Sequence, residues 1–331
     1  MREQATELHG RGRRFFLKTA MAAAGGGLIR PAMPCLMAGQ PADRVQQALP
    51  VQEEVLPDIP LGSHRITRLV AGWNPIGGYS HASPILDEYM RQYFTPERIY
   101  EFLCQCMRHG IRTWQFDHEP RSVWAIQKVQ ESSAEMNFIC LHAERPTDPP
   151  MQRVIDDTRC IALVHHGGVT DSLFRQGKAE LVRDYVKKAH DHGVLAGVSS
   201  HNPDNIRKIA DEGWENDLFM TCMYKVNRPR EEQLELLGRA VVGEPYLETD
   251  PIEMTAVVRE VPKPCLAFKI LAAGRRCTGS KGVEDAFAFA FANIKPCDGV
   301  IVGMFPVYSD QVAMNAALAR KYAVAQTVTA S

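Results

Sequence analysis

Six of the eleven histidines stand at or just beyond the ends of short apolar runs: His81, His118, His142, His165, His166 and His201. Carboxylates keep them company at Asp117, Glu119 and Glu144. Imidazole is the commonest metal ligand and the usual proton carrier near neutral pH. One chemistry for this set is therefore a divalent metal, zinc or manganese, held by His142, Glu144, His165 and His201. The other is metal-free acid–base work by Asp117, His142, His165 and His201. His165 and His166 are adjacent, and neighbours on a strand face opposite sides, so only one of them points inward. Lys269 is the sharpest single residue. It lies in CLAFKI, between Phe268 and Ile270, where an unpaired ammonium is costly. It must reach a polar mouth or a carboxylate. There it can bind an anionic or hydroxylated substrate or serve as a base.

Such residues act together only if the chain brings the run ends to one place. Eight apolar runs, at 66–73, 111–117, 136–142, 160–166, 194–200, 217–224, 264–270 and 299–304, read as strands. Helix candidates lie between or after them at 97–109, 121–132, 178–191, 203–212, 230–239, 251–259, 282–293 and 309–323. In KAELVRDYVKKAHD the residues Leu181, Val182, Tyr185, Val186 and Ala189 recur at helical spacing. Strand–helix alternation implies a parallel sheet, and eight units over about 260 residues fit an α/β fold of the (β/α)8 TIM-barrel type. Its chemistry gathers at the C-terminal ends of the strands. An open doubly wound sheet is the alternative, but neither a G-x-G-x-x-G nor a P-loop motif occurs.

The first 38 residues read differently from the rest. RGRRFFLKTAMAAAGGGLIR, with Arg13-Arg14 before Phe15-Phe16-Leu17-Lys18, has the form of a twin-arginine export signal. The apolar stretch after it is too short to span a bilayer. Cleavage after Ala38 is expected, leaving residues 39–60 as a linker or N-terminal wrap and 61–325 as the barrel. The expected location is the periplasm or the extracellular side, with the twin-arginine translocase as a transient partner. Loss of six basic and two acidic residues with the signal takes the net charge from -1 to -5. Such a chain is no general nucleic-acid binder. Nine cysteines without a CxxC pair make neither a disulfide framework nor a four-cysteine zinc site.

Several segments resemble the aldo-keto reductase superfamily. LGSHRITRLVAGWNPIGG (61–78) is similar to its N-terminal hairpin and first strand, and GIRTWQFD (110–117) to the strand ending in its catalytic aspartate, which places Asp117. GVLAGVSSHNPDNIRKI (193–209) is similar to its GVSN segment, placing Ser199. MTCMYKVNRP (220–229) and AFKILAAGR (267–275) resemble its sixth and seventh strands. VIVGMFPVYSDQVAMNAAL (300–318) resembles its cofactor-phosphate segment, placing Gln311 and Asn315 on the adenine side. The resemblance implies the same barrel and NADP-dependent carbonyl reduction. The departures are specific: the family's tyrosine falls on Ser122, its lysine near His142, its histidine on His165 or His166, its nicotinamide asparagine on Ser200 and its sixth-strand glutamine on Thr221. Met304–Tyr308 carries no charge for a cofactor phosphate, so NADP binding is expected to be weak.

Three functions stay open on these residues. One is reductase-type chemistry on a sugar or polyol carbonyl. Another is a metal- or histidine-dependent lyase, isomerase or hydrolase on a carbohydrate-like substrate. The third is a non-catalytic binding barrel.

Overall fold

The computed structural model describes residues 55–323. The twin-arginine segment, the cleavage position and most of the expected linker lie outside the described residues. Eight parallel strands close into a barrel. They are β3 (Leu69–Gly72), β4 (Thr113–Asp117), β5 (Asn137–His142), β6 (Ala162–His165), β7 (Leu195–Ser200), β8 (Leu218–Cys222), β9 (Cys265–Phe268) and β10 (Gly299–Gly303). A hairpin of β1 (Asp58–Leu61) and β2 (His64–Thr67) precedes them. Its Ile59, Leu61 and Ile66 pack with Val70, Ile139, Ala162, Leu218 and Leu266 of the barrel interior and plug the N-terminal end.

Each of the eight expected strands is present, with two corrections. The run 66–73 is not one strand. It breaks at Arg68, whose buried guanidinium turns away to the carbonyls of Asp298 and Ala323. The expected linker also gives up residues 58–60 to β1. Four short helices escaped the apolar pattern: Asn74–Gly77, Pro84–Tyr93, Met151–Thr158 and Gly167–Arg175. The clearest case is Pro84–Tyr93, which has no buried residue for a periodicity to show. It is set instead by its termini: Ser83 accepts from the Leu86 amide, and Pro84 occupies the first turn.

Alternation along the strands sorts side chains into two layers. Val70, Ile139, Val164, Met220, Leu266 and Ile301 fill the interior. Trp114, Phe116, Phe138, Cys140, Leu163 and Val198 face outward against the helices. This phase decides which of the candidate residues reach the mouth.

Candidate active site at the barrel mouth

In β4, with Trp114 and Phe116 outward, Gln115 and Asp117 fall in the inward phase. Both carry orphaned atoms: Gln115 Nε2 and Asp117 Oδ1 are buried without a hydrogen-bond partner. His166 continues the inward phase of Ala162 and Val164, and its Nδ1 is likewise buried and unpartnered. Unmet buried polar atoms are uncommon in a settled core, because each forfeits its hydration. Three of them in the inward phase, two on β4 and one just beyond β6, mark a place built for a polar guest.

Lys269 reaches the same mouth by a backbone device. It stands one residue beyond β9, not within the strand as the sequence suggested. Phe268 is inward, so simple alternation would turn Lys269 outward. Its φ of 59° breaks that alternation, and the side chain lines a cavity of about 740 Å³ with Asn74, Gln115, Phe268, Gly303 and Phe305. Lys269 Nζ lies 2.9 Å from His81 Nε2. His81, itself at φ 56°, places Nδ1 2.9 Å from Glu244 Oε1, and the Tyr246 hydroxyl donates to Glu244 Oε2 at 3.0 Å. Left-handed backbone at two bulky residues costs energy and persists where surrounding contacts enforce it. Asn74 Nδ2 also lies 3.1 Å from His81 Nε2. Two donors on Nε2 leave the ring proton on Nδ1, facing Glu244. Arg275 holds the arrangement from outside, donating to the His81 carbonyl and stacking 3.9 Å from the centre of the Tyr246 ring.

Burial pushes the Lys269 ammonium below its usual range, against the opposing pull of Cys222 and Glu244. Burial also raises Asp117 to about 7, partly offset by the nearby Arg145 guanidinium. Glu244 is moved the other way: burial opposes its charge, but the hydrogen bonds from His81 and Tyr246 and the nearby Lys269 outweigh it. His166 falls to about 4 through burial and the charge of Arg145. The mouth thus holds an acid near neutrality, a lysine eased toward its free amine and an uncharged imidazole.

His201 follows β7 and packs edge-on against Phe268 at 5.5 Å. Its Nδ1 is 2.8 Å from Asp171 Oδ2. Asp171 also accepts from Ser200, Asn205 and Asn227, and it stays ionised because those bonds outweigh its burial. Among the described residues His201 Nε2 has no hydrogen bond. A second cavity of about 660 Å³ is lined by Asp171, Asn205 and Asn227 of this network together with Arg175, Arg183 and Lys225, and does not reach Lys269.

Other expected site residues are not at the mouth. His142 and His165 share the outward phase of Cys140 and Leu163 and bracket the buried Tyr185 ring, at 5.8 and 4.9 Å. His142 Nε2 donates to the Pro149 carbonyl, and His165 Nδ1 bonds Thr170 at 2.7 Å. Burial holds His165 down to about 3. Glu144 is a surface partner of Lys188 at 2.8 Å. The proposed metal set His142, Glu144, His165 and His201 is therefore split between two faces. Among the described residues no three His, Cys, Asp or Glu side chains converge as a metal site requires. His118 and Glu119 are likewise paired, with Asp157 and Arg121.

Gln311 and Asn315 do line the Lys269 cavity, and Gln311 Oε1 accepts from the Phe305 amide at 2.7 Å. Ser199 is buried and lies apart from that cavity. Gln115, Asp171 and Glu244 were missed. Gln115 had a signal, a polar residue at the inward phase of TWQFD. Asp171 and Glu244 had none, because only the fold brings them to residues 30 and 163 positions away.

No family model matches the chain, and no curated protein sequence matches it. Among solved structures it is similar to the apo form of Gox0644, at 11% identity over 79% of this chain and 87% of that one, with a TM-score of 0.48. An aldo/keto reductase from Brucella melitensis gives 12% identity, 79% and 91% coverage and 0.45. Dihydropteroate synthase from Xanthomonas albilineans gives 11%, 82% and 99%, and 0.46. The fold itself rests on the closed eight-stranded sheet. No helix among the described residues is long and apolar enough to cross a membrane.

Proposed function

We propose that the barrel mouth is the active site of an enzyme that moves protons on a small, polyhydroxylated carbonyl compound, as an isomerase or lyase does. The carrying observation is Lys269, backed by His81 and Glu244, in one cavity with the unpartnered Gln115 amide, while Asp117 follows two residues on in the same inward phase of β4. Hydroxyl groups of a carbohydrate-like guest would meet those atoms. The polarised carbonyl would lie against Lys269, and Asp117, close to half-ionised at neutral pH, would exchange the proton. The test is incubation of the full-length protein with a panel of hydroxyaldehydes and ketoses in D2O. Deuterium entering the carbon beside the carbonyl, read by NMR, supports the reading. A panel with no exchange in any member overturns it.

One observation favours a second reading, carbonyl reduction with NADP at the same mouth. The cavity runs from Lys269 to Gln311 and Asn315, the positions that the reductase resemblance gives to the adenine side. The fit is partial. Lys269 is the sole Lys or Arg among the residues lining that cavity, and a dinucleotide needs several cationic or backbone donors. If bound, NADP would supply the hydride. NADPH is expected to bind at tens of micromolar or weaker, order of magnitude. A fluorescence titration giving sub-micromolar affinity would restore reduction as the leading reading. Export through the twin-arginine translocase remains part of the proposal on the strength of Arg13-Arg14.

A further inference from the structure

We infer that Lys269 is a covalent nucleophile: its side-chain amine condenses with the substrate carbonyl to form an imine. The inference rests on the reading of the mouth as an active site and names the step that starts its chemistry.

The geometry supplies what an imine-forming lysine needs. The amine must lose its proton readily, have a proton acceptor beside it, and face a cavity that admits a carbonyl. Lys269 lines the cavity while its Nζ sits 2.9 Å from His81 Nε2. The ring proton of His81 is on Nδ1, against Glu244, so Nε2 offers a lone pair to the Lys269 proton. Among the described residues no carboxylate bonds Nζ directly. Glu244 stands one residue behind and stabilises the imidazolium that forms when His81 accepts the proton. Burial of the Lys269 side chain favours the uncharged amine, against the opposing pull of Cys222 and Glu244. The left-handed φ of Lys269 and of His81 fixes both in this arrangement rather than leaving the lysine to snorkel outward.

The balance closes without any added reagent. The Nζ lone pair attacks the carbonyl carbon, a C–N bond forms, and the carbonyl π pair moves to oxygen. One of the two amine protons passes through His81 Nε2 to that oxygen, giving the neutral carbinolamine. A second proton, taken up by His81 Nε2 from solvent, is then delivered to the carbinolamine hydroxyl, which leaves as water while the nitrogen lone pair forms C=N and the remaining N–H makes the product a protonated imine. Amine, carbonyl and one proton become protonated imine and water, with nothing oxidised or reduced. The protonated imine then acidifies the adjacent C–H, which is the proton the proposed function moves. Glu244 acts here as a positioning residue, through His81.

Dihydroxyacetone and sodium borohydride test this directly. The full-length protein is mixed with dihydroxyacetone at pH 7 and reduced, so that hydride fixes any imine as a secondary amine, and is then digested for peptide mass mapping. Surface lysines are protonated at this pH and react slowly. The expected result is preferential modification of the Lys269 peptide, gaining one probe less its oxygen, with labelling slowed at least tenfold in Glu244→Gln. The wild-type map needs no variant to fold, and a circular dichroism melt of Glu244→Gln confirms that its barrel is intact. Labelling spread over surface lysines with Lys269 unmodified overturns the inference. If deuterium exchange in the same enzyme still requires Lys269, the reading of the mouth survives and only the covalent step fails.

Discussion

Replacing Lys269 by methionine should stabilise the protein while removing its chemistry. The change keeps the length of the side chain and deletes its charge. Desolvating an ammonium costs several kcal/mol even after relaxation. Its bond to His81 returns about 1.5–3 kcal/mol, the range for a hydrogen bond involving a charged group. In Lys269→Met neither partner is orphaned, because His81 keeps Asn74 and Glu244 keeps His81 and Tyr246. The net gain works out at about 1–2 kcal/mol, or about 2–8 °C in Tm for a chain of this size. The sign has a pH signature. The folded-state pKa of Lys269 is depressed, so the unfolded chain binds the extra proton between that value and about 10.4. Wild-type stability therefore rises with pH through that window, and the advantage of Lys269→Met shrinks as the window is crossed. Differential scanning calorimetry at pH 7 and pH 10 reads both effects. A Tm several degrees lower at pH 7, or a difference that does not change with pH, would mean that Lys269 is a structural ion-pair partner and would refute the reasoning.

Asp117→Asn should cut turnover about 100-fold and remove the limb near pH 7 from the pH–rate profile. Because the folded-state pKa of Asp117 is raised, wild-type stability falls as pH rises from about 4 to about 7, and this slope should vanish in the variant; a persisting slope places the titration elsewhere. His165→Leu should leave turnover unchanged and soften acid unfolding. A buried imidazole held down to about 3 contributes stability that is present above about 6.5 and lost as pH falls toward 3. A melt series from pH 7 to pH 4 no flatter than wild type would show that acid sensitivity arises at other groups. Changing both Arg13 and Arg14 to Lys should leave precursor in the cytoplasm; normal export of the double variant would end the twin-arginine reading.

The barrel was legible because burial on both faces gives each parallel strand a continuous apolar run. The ends of those runs pointed to Asp117, His201 and Lys269. They misled at His142 and His165, where one residue of phase separates the mouth from the helix layer. Lys269 shows the converse. Its phase is outward, and only a left-handed backbone residue, which no pattern of apolar spacing records, returns it to the cavity. Glu244 lies in a loop with no periodicity to read, and it meets His81 because the barrel closes.

The central claim is that the mouth, and not the histidine layer outside it, does the chemistry. The direct measurement is the rate of solvent deuterium exchange into a responsive ketose by wild type, Lys269→Met and His165→Leu at pH 7. The account predicts a loss of at least about 100-fold in Lys269→Met, the scale of a lost acid–base group, with His165→Leu matching wild type. Exchange that survives in Lys269→Met and disappears in His165→Leu would contradict it.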